Sequence, residues 1–230
     1  MNPISNADRQ PRRISMGTTS GLPDASPTVF VVDDDEYIRE ALETAIEAAG
    51  WRARTFASAE LFLACPPASG ASCLVLDVNM PGLGGLDLQT TIADERADMP
   101  IIFITGFGDI PTSVQAMKAG AVEFLTKPFD EQVLLDAIRA ALERSQRALG
   151  DRSRLRELRE RYAALTSRER EVMDGVVSGR MNKQVGGDLG ITEITVKKHR
   201  GRVMDKMRAR SLAELVNMST SLGLSPSGRR

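Results

Sequence analysis

From Thr28 onward, short runs of β-branched and aromatic residues alternate with stretches whose apolar residues recur every three or four positions. The runs at 28–32 (TVFVV), 52–56 (RARTF), 73–76 (CLVL), 101–104 (IIFI) and 122–125 (VEFL) predict five strands. Between them, 36–49, 58–64, 84–95 and 111–119 have helical spacing, and 130–148 carries Val133, Leu134, Ala137, Ile138, Ala141 and Leu142 on one face. Such alternation predicts an α/β, doubly wound, five-stranded parallel sheet with helices on both faces. Past Gly150 the rhythm changes. Residues 150–165 are rich in Arg and keep one narrow apolar seam, Leu155, Leu158, Tyr162 and Leu165, as expected of a helical linker. Four more helices, and no strand, are predicted at 167–178, 182–189, 192–208 and 211–221. The first 26 residues, rich in Ser, Pro, Gly and Asn, lack the apolar surface to offset ordering and are expected to be a disordered tail. The expected organisation is thus a tail over 1–26, an α/β domain over 27–149, a linker over 150–165, an all-α four-helix domain over 166–222 and a flexible tail over 223–230.

Composition narrows the function classes. With 42% hydrophobic and 27% charged residues, and no run of 18 apolar residues, the chain is expected to be soluble and to have no membrane partner. Arg9, Arg12 and Arg13 precede no apolar stretch, so no secretory signal is expected and the cytoplasm is the expected compartment. Cys65 and Cys73 fit neither a metal-ligand pattern nor a disulfide framework and are expected to be reduced thiols. The net charge of -1 hides an asymmetry: residues 27–149 hold 19 acidic and 9 basic side chains, net -10, whereas residues 150–230 hold 10 acidic and 18 basic, net +8. A basic half suited to a polyanion follows an acidic half that gathers carboxylates for another purpose.

In an open parallel sheet, ligands bind beyond the carboxyl ends of the strands where the strand order reverses. Here the first run leads into Asp33, Asp34 and Asp35, the third into Asp77, the fourth into Thr105 and Gly106, and the fifth is followed closely by Lys127 and Pro128. Gathered carboxylates raise one another's pKa, and a hard divalent cation with oxygen ligands, Mg²⁺, relieves that repulsion. One carboxylate is then a candidate nucleophile toward a phosphoryl donor. Asp77 is favoured because it stands alone at the end of a central strand, with Pro81, Gly82, Gly84 and Gly85 forming a tight loop beyond it. Lys127 and the Thr105 hydroxyl would offset charge on the phosphoryl oxygens.

The segments VFVVDDDEYIRE, CLVLDVNMPGLGGLDL, IIFITGFGDI and AGAVEFLTKPF resemble the response-regulator receiver domain over about 28–149. The resemblance implies that Asp33 and Asp34 are the acidic pair, Asp34 being the more direct Mg²⁺ ligand, and that Asp77 is the phosphoacceptor. It further implies that Asn79 offers its backbone carbonyl to the metal, and that Thr105, Phe124 and Lys127 are the switch hydroxyl, the switch aromatic and the phosphate-binding lysine. A cis peptide before Pro128 is expected with it. The role of Asp35, a third consecutive acid, is not implied.

In the basic half, Thr166 or Ser167 is placed to cap a helix, Gly179 to end it, and Thr192 to cap the helix over 192–208. Along that helix Ile194, Val203 and Met207 are expected to point inward, while Thr195, Lys197, Lys198, Arg200 and Arg202 crowd the other faces, as suits a helix lying in a major groove. The stretch resembles the LuxR-type helix-turn-helix over about 164–222, and the whole chain resembles a response regulator of the NarL/FixJ class. That resemblance places Thr195, Val196, Lys197 and Lys198 near the groove, with Thr192, Arg200 and Arg202 completing the expected DNA-binding set. It makes His199 a helix residue near the backbone. Gly186-Gly187 departs from the pattern and would cost roughly 1–2 kcal/mol of helix stability. The partners implied are a sensor histidine kinase, double-stranded promoter DNA, RNA polymerase and, on phosphorylation, a second copy of the chain. The chain is then no enzyme beyond its own phosphoryl transfer and autodephosphorylation. The alternative is an aspartyl-phosphate phosphatase with Asp33 as nucleophile and Asp35 as acid/base.

Overall fold

A computed structural model describes residues 26–106 and 110–224; the tail expected over 1–26 lies almost wholly outside the described residues, as does most of that expected over 223–230. Five strands, β1 (Thr28–Val32), β2 (Arg52–Phe56), β3 (Ser72–Asp77), β4 (Ile101–Thr105) and β5 (Glu123–Thr126), pair in parallel in the order β2-β1-β3-β4-β5. Thr28 stands opposite Arg52 on one side and Ser72 on the other, and Asp77 opposite Ile104. The central strands β1, β3 and β4 are buried along their whole length, which is why they read as unbroken apolar runs, whereas β5 at the edge is exposed at both ends and half-buried between.

The sheet divides the core in two. Phe30, Leu74, Leu76 and Phe103 face α2 (Ala59–Leu63), α3 (Gly85–Ile92) and α4 (Ile110–Lys118), while Val29, Val31, Val75, Ile102 and Ile104 face α1 (Glu36–Ala48) and α5 (Glu131–Ala163). Successive strand residues feed opposite cores because side chains alternate across a pleated strand. Cys65 is buried in the first core and Cys73 in the second, both as free thiols. Burial alone pushes the Cys73 thiol far above its ordinary pKa, so it is chemically quiet.

The expected separate linker is instead the second half of α5, which runs unbroken for 33 residues through Gly150. Both ends of this helix are held. Its first half packs on the sheet through Leu134, Ile138, Ala141 and Leu142, and the buried Ser145 hydroxyl accepts the Ser72 N–H at 3.0 Å. Arg152 pairs with Asp98 at 2.7 Å, and farther on Leu158 and Tyr162 join the core of the helical domain. A glycine costs a helix about 0.5–1 kcal/mol, too little to break one anchored on either side.

That domain comprises α6 (Ser167–Val177), α7 (Asn182–Leu189), α8 (Glu193–Met207) and α9 (Leu212–Ser221). Thr166 caps α6 in a reciprocal box with Glu169, and Gly190, with φ of 64°, ends α7 in the left-handed conformation. Val172, Val176, Val185 and Val196 form one apolar cluster; Leu165, Met173, Val203, Met207 and Leu215 form another. The two adjacent glycines differ in kind. A Cβ at Gly186 would lie 2.7 Å from the Ile191 carbonyl oxygen, so the close approach of α7 to the turn requires glycine, whereas Gly187 faces open space. The expected stability cost therefore applies to Gly187 alone. Among the described residues no helix is long and apolar enough to cross a membrane.

Candidate functional site

The strand order reverses between β1 and β3, and there Asp33, just past β1, and Asp77, the last residue of β3, approach one ammonium. Lys127 Nζ donates to Asp33 Oδ2 at 2.6 Å and to Asp77 Oδ1 at 2.9 Å. It reaches them from the loop after β5, across a cis peptide to Pro128. The other carboxylate oxygens are also engaged: Asp33 Oδ1 accepts the Asp35 N–H at 2.9 Å and Asp77 Oδ2 accepts the Asn79 N–H at 2.7 Å. Asn79 Nδ2 donates to Thr105 Oγ1 at 3.2 Å, and the Thr105 carbonyl accepts the Lys127 N–H at 2.7 Å. The structure thus brings Asp33, Asp77, Asn79, Thr105 and Lys127 into one network. The Asp34 side chain is exposed, and Phe124 lies half-buried with its ring centroid 6.3 Å from that of Phe103.

Burial pushes the Asp77 carboxyl above its ordinary pKa and the Asp33 charge adds to the rise, against the opposing pull of Lys127. Burial works against the Lys127 ammonium as well, but its hydrogen bonds to the two carboxylates outweigh that and leave its pKa raised. Among the described residues no three His, Cys, Asp or Glu side chains gather as a ready metal cage. Two carboxylates sharing one ammonium, with Asp34 beside them, nonetheless leave a surplus of hard anionic oxygen that suits Mg²⁺.

Two residues have roles that the sequence left open or hid. Asp35 is the N-cap of α1, its Oδ1 accepting the N–H groups of Tyr37 at 2.9 Å and Ile38 at 3.4 Å. Arg39 Nη1 grips the acidic loop from α1, donating to the carbonyls of Asp33 at 2.9 Å and Asp34 at 3.0 Å. The only signal for Arg39 was its place one turn into a helix that begins at the acidic run. These roles weaken the phosphatase alternative. Its nucleophile, Asp33, has no exposed surface, and its acid/base, Asp35, is spent on a helix cap.

In the helical domain, Val196 is fully buried against Val172, Val176 and Val185 and has no surface for a base, which removes it from the expected DNA-binding set. Ile194, expected to point inward, is 79% exposed. The reason is angular. Val196, Val203 and Met207, spaced by seven and four, form the inward seam of α8, and Ile194 lies nine residues from Val203, about half a turn away at 3.6 residues per turn. Thr192 caps α8, with its hydroxyl 2.9 Å from that of Thr195. Lys198 and Arg202 are exposed, Lys197 pairs with Glu193 at 3.1 Å, and Arg200 is half-buried and reaches Asn182 Oδ1 on α7 at 3.4 Å. Lys206 at the other end of α8 is tied to Glu169 at 2.7 Å.

Comparisons with known proteins agree with both halves. Residues 29–139 match the family described as response regulator receiver domain, and residues 163–219 match bacterial regulatory proteins of the luxR family. Nodulation protein W of Bradyrhizobium diazoefficiens is 50% identical over 197 residues, covering 86% of this chain and 87% of that protein. Transcriptional regulatory protein FixJ of Rhizobium meliloti is 42% identical over 200 residues, covering 87% and 98%. Among solved structures, response regulator StyR matches with a TM-score of 0.76 at 46% identity, covering 85% of this chain and 99% of that one. Full-length FixJ from B. japonicum matches with a TM-score of 0.52 at 36% identity, covering 86% and 98%. With a receiver fold, a LuxR-type helical domain and full-length relatives that share both, the chain belongs to the transcriptional response regulators of the NarL/FixJ class.

Proposed function

We propose that Asp77 is the phosphoacceptor of this regulator and that its phosphorylation by a partner histidine kinase promotes dimerisation and promoter binding. The observation that carries this reading is the Lys127 ammonium shared between Asp33 and Asp77 at the strand-order reversal. An Asp77 oxygen attacks the phosphorus of a phosphohistidine, the P–N bond breaks, and the histidine nitrogen leaves with its electron pair as the acyl phosphate forms. Mg²⁺ held by Asp33, Asp34, Asp77 and the Asn79 main-chain carbonyl would supply charge neutralisation at the phosphoryl oxygens. Lys127 exchanges its carboxylate partner for a phosphoryl oxygen. Thr105 exchanges its Asn79 contact for another, and Phe124 follows inward to give the second state of a bistable element. The surface made by 111–119, 122–125 and 130–147 changes with it and accepts a second copy. Hydrolysis of the acyl phosphate by the same site returns the protein to rest.

The functional units are 27–149 and 166–222, connected by 150–165, which is the end of α5 as far as Ala163, working in the cytoplasm. Thr192, Thr195, Lys197, Lys198, Arg200 and Arg202 meet DNA, and RNA polymerase is recruited at the promoter. Of the charged residues in this set, Arg200 makes the least direct contact because it is half-buried and turned to Asn182.

A small phosphodonor with Mg²⁺ is expected to label the protein once, giving an acid-stable, base-labile product. Equal labelling of Asp77→Asn would overturn the assignment. Sedimentation at several concentrations, with and without beryllofluoride, tests the consequence: a monomer in both conditions that still gains DNA affinity would replace dimerisation by release of an inhibitory contact between the two oppositely charged halves.

A further inference from the structure

We infer that Ile194 is a base-reading residue that contacts the C5-methyl group of a thymine in the major groove, making a T·A pair under the start of α8 a determinant of promoter choice. This rests on the reading of α8 as the helix that enters DNA. The first support is the degree and place of exposure. Ile194 is 79% exposed on the first turn of α8, where a recognition helix contacts base edges. A β-branched apolar side chain held so far out of the core gains nothing for the fold.

The second support is the outward stripe. Opposite the buried seam of Val196, Val203 and Met207 lie Ile194, Lys198 and Gly201, spaced by four and three, so that they share one face. A Cβ at Gly201 would meet no atom within 4 Å, so the fold does not demand glycine there. Its absence of a side chain one turn beyond Lys198 leaves the helix free to approach the floor of a groove closely enough for the short Ile194 side chain to reach a base edge.

The third support is charge. Lys198 is exposed one turn beyond Ile194 and Arg202 two turns beyond, while Lys197, also exposed, pairs with Glu193 at 3.1 Å; the half that holds them has net charge +8. An apolar residue followed by cations along the same helix suits a duplex, whose phosphates flank an apolar thymine methyl, better than an apolar protein groove.

The test uses the full-length protein with beryllofluoride and Mg²⁺, and selection from a randomised duplex library. The wild type is expected to select a thymine at one position of each half-site. Ile194→Ala is expected to lose that preference while keeping the remainder of the site. Replacing that thymine by deoxyuridine, which removes only the methyl group, is expected to weaken wild-type binding about fourfold, the value of one buried methyl-sized group, and to leave Ile194→Ala unchanged. The thermal unfolding of Ile194→Ala should be equal to or slightly above that of the wild type, because the side chain is largely exposed and Ala favours the helix. Identical selected sites for the two proteins, or an equal loss for both on deoxyuridine, would overturn the inference. Lys198→Ala separates the two levels. If it weakens binding while Ile194→Ala alters nothing, the role of Ile194 fails alone. If neither variant alters affinity or site preference, the placement of α8 in DNA fails with it.

Discussion

Each half of this protein sets a lysine against a buried carboxylate, and the two arrangements do opposite things. In the sheet domain Lys127 is divided between Asp33 and Asp77, two carboxylates for one ammonium, and burial holds the Asp77 carboxyl above its ordinary pKa. In the helical domain Lys206 meets a single carboxylate, Glu169, at 2.7 Å, and also donates to the Ala164 carbonyl at 3.2 Å. There the Lys206 hydrogen bond, helped by the Thr166 N–H, holds the Glu169 carboxyl below its ordinary range. The balanced pair closes a structural joint between α8 and the start of α6. The unbalanced one stores negative charge that a cation or a phosphoryl group can rearrange. Stoichiometry of charge, more than the residue types, separates the cluster proposed as a switch from the fastening.

The largest effect expected from breaking this contrast is chemical. Asp77→Asn should show no labelling by a small phosphodonor, and Lys127→Ala should keep partial labelling while losing the gain in DNA affinity, because the ammonium holds the phosphorylated state without performing the attack. Both are read by acid-stable labelling beside DNA-binding isotherms, and wild-type activation in Lys127→Ala would make the shared ammonium incidental.

On the helical side the effect should be loss of stability. Glu169→Ala leaves Lys206 and the Thr166 N–H without their buried acceptor and should destabilise that domain by about 2–3 kcal/mol, read as a lower urea midpoint of α-helical unfolding. An unchanged midpoint would mean that the pair contributes no more than an exposed one.

The two carboxylates should also respond oppositely to pH. Asp77 has a raised folded pKa, so its contribution to stability is full below its unfolded value and is lost as pH rises through the folded one. Glu169 has a lowered folded pKa, so its contribution is full above the unfolded value and is lost as pH falls through the folded one. Measured as urea midpoints between about pH 3 and 7, the difference between wild type and Asp77→Asn should move one way, and that between wild type and Glu169→Gln the other. Parallel trends would refute the contrast.

The smallest effects belong to packing elsewhere in the helical domain, at the turn from α7 into α8. Gly187→Ala, in open space, should stabilise α7 by about 0.5–1 kcal/mol. Gly186→Ala should lower the thermal midpoint instead, since its Cβ would press on the Ile191 carbonyl.

Much of this was legible in the residue order, for a physical reason. Strands buried on both faces must be apolar throughout, so each of the runs that became β1, β3 and β4 announces where it stops, and the polar residue at that point is carried to one end of the sheet. That is enough to bring Asp33, Asp77 and Thr105 together; Lys127 joins them from the loop after the less buried edge strand β5. The helical domain was legible in outline through its caps, with Thr166, Gly179 and Thr192 marking helix ends where they stand.

Tertiary structure decided what depends on a neighbour distant in sequence. Of three consecutive acids, Asp33 is the one that meets Lys127, 94 residues away in sequence, and only that approach drew it into the site. On the sparsely apolar α8, periodicity sets Val196 on the face of Val203 and Met207 with Ile194 opposite, and the approach of α6 and α7 made the Val196 face the buried one. Gly186 became obligatory when the Ile191 carbonyl came to lie against it, and Gly150 stayed helical because α5 is anchored at both ends. Local sequence sets where elements begin and which side chains stand at their ends, through periodicity and capping; the division of labour among chemically similar neighbours follows from which surfaces meet.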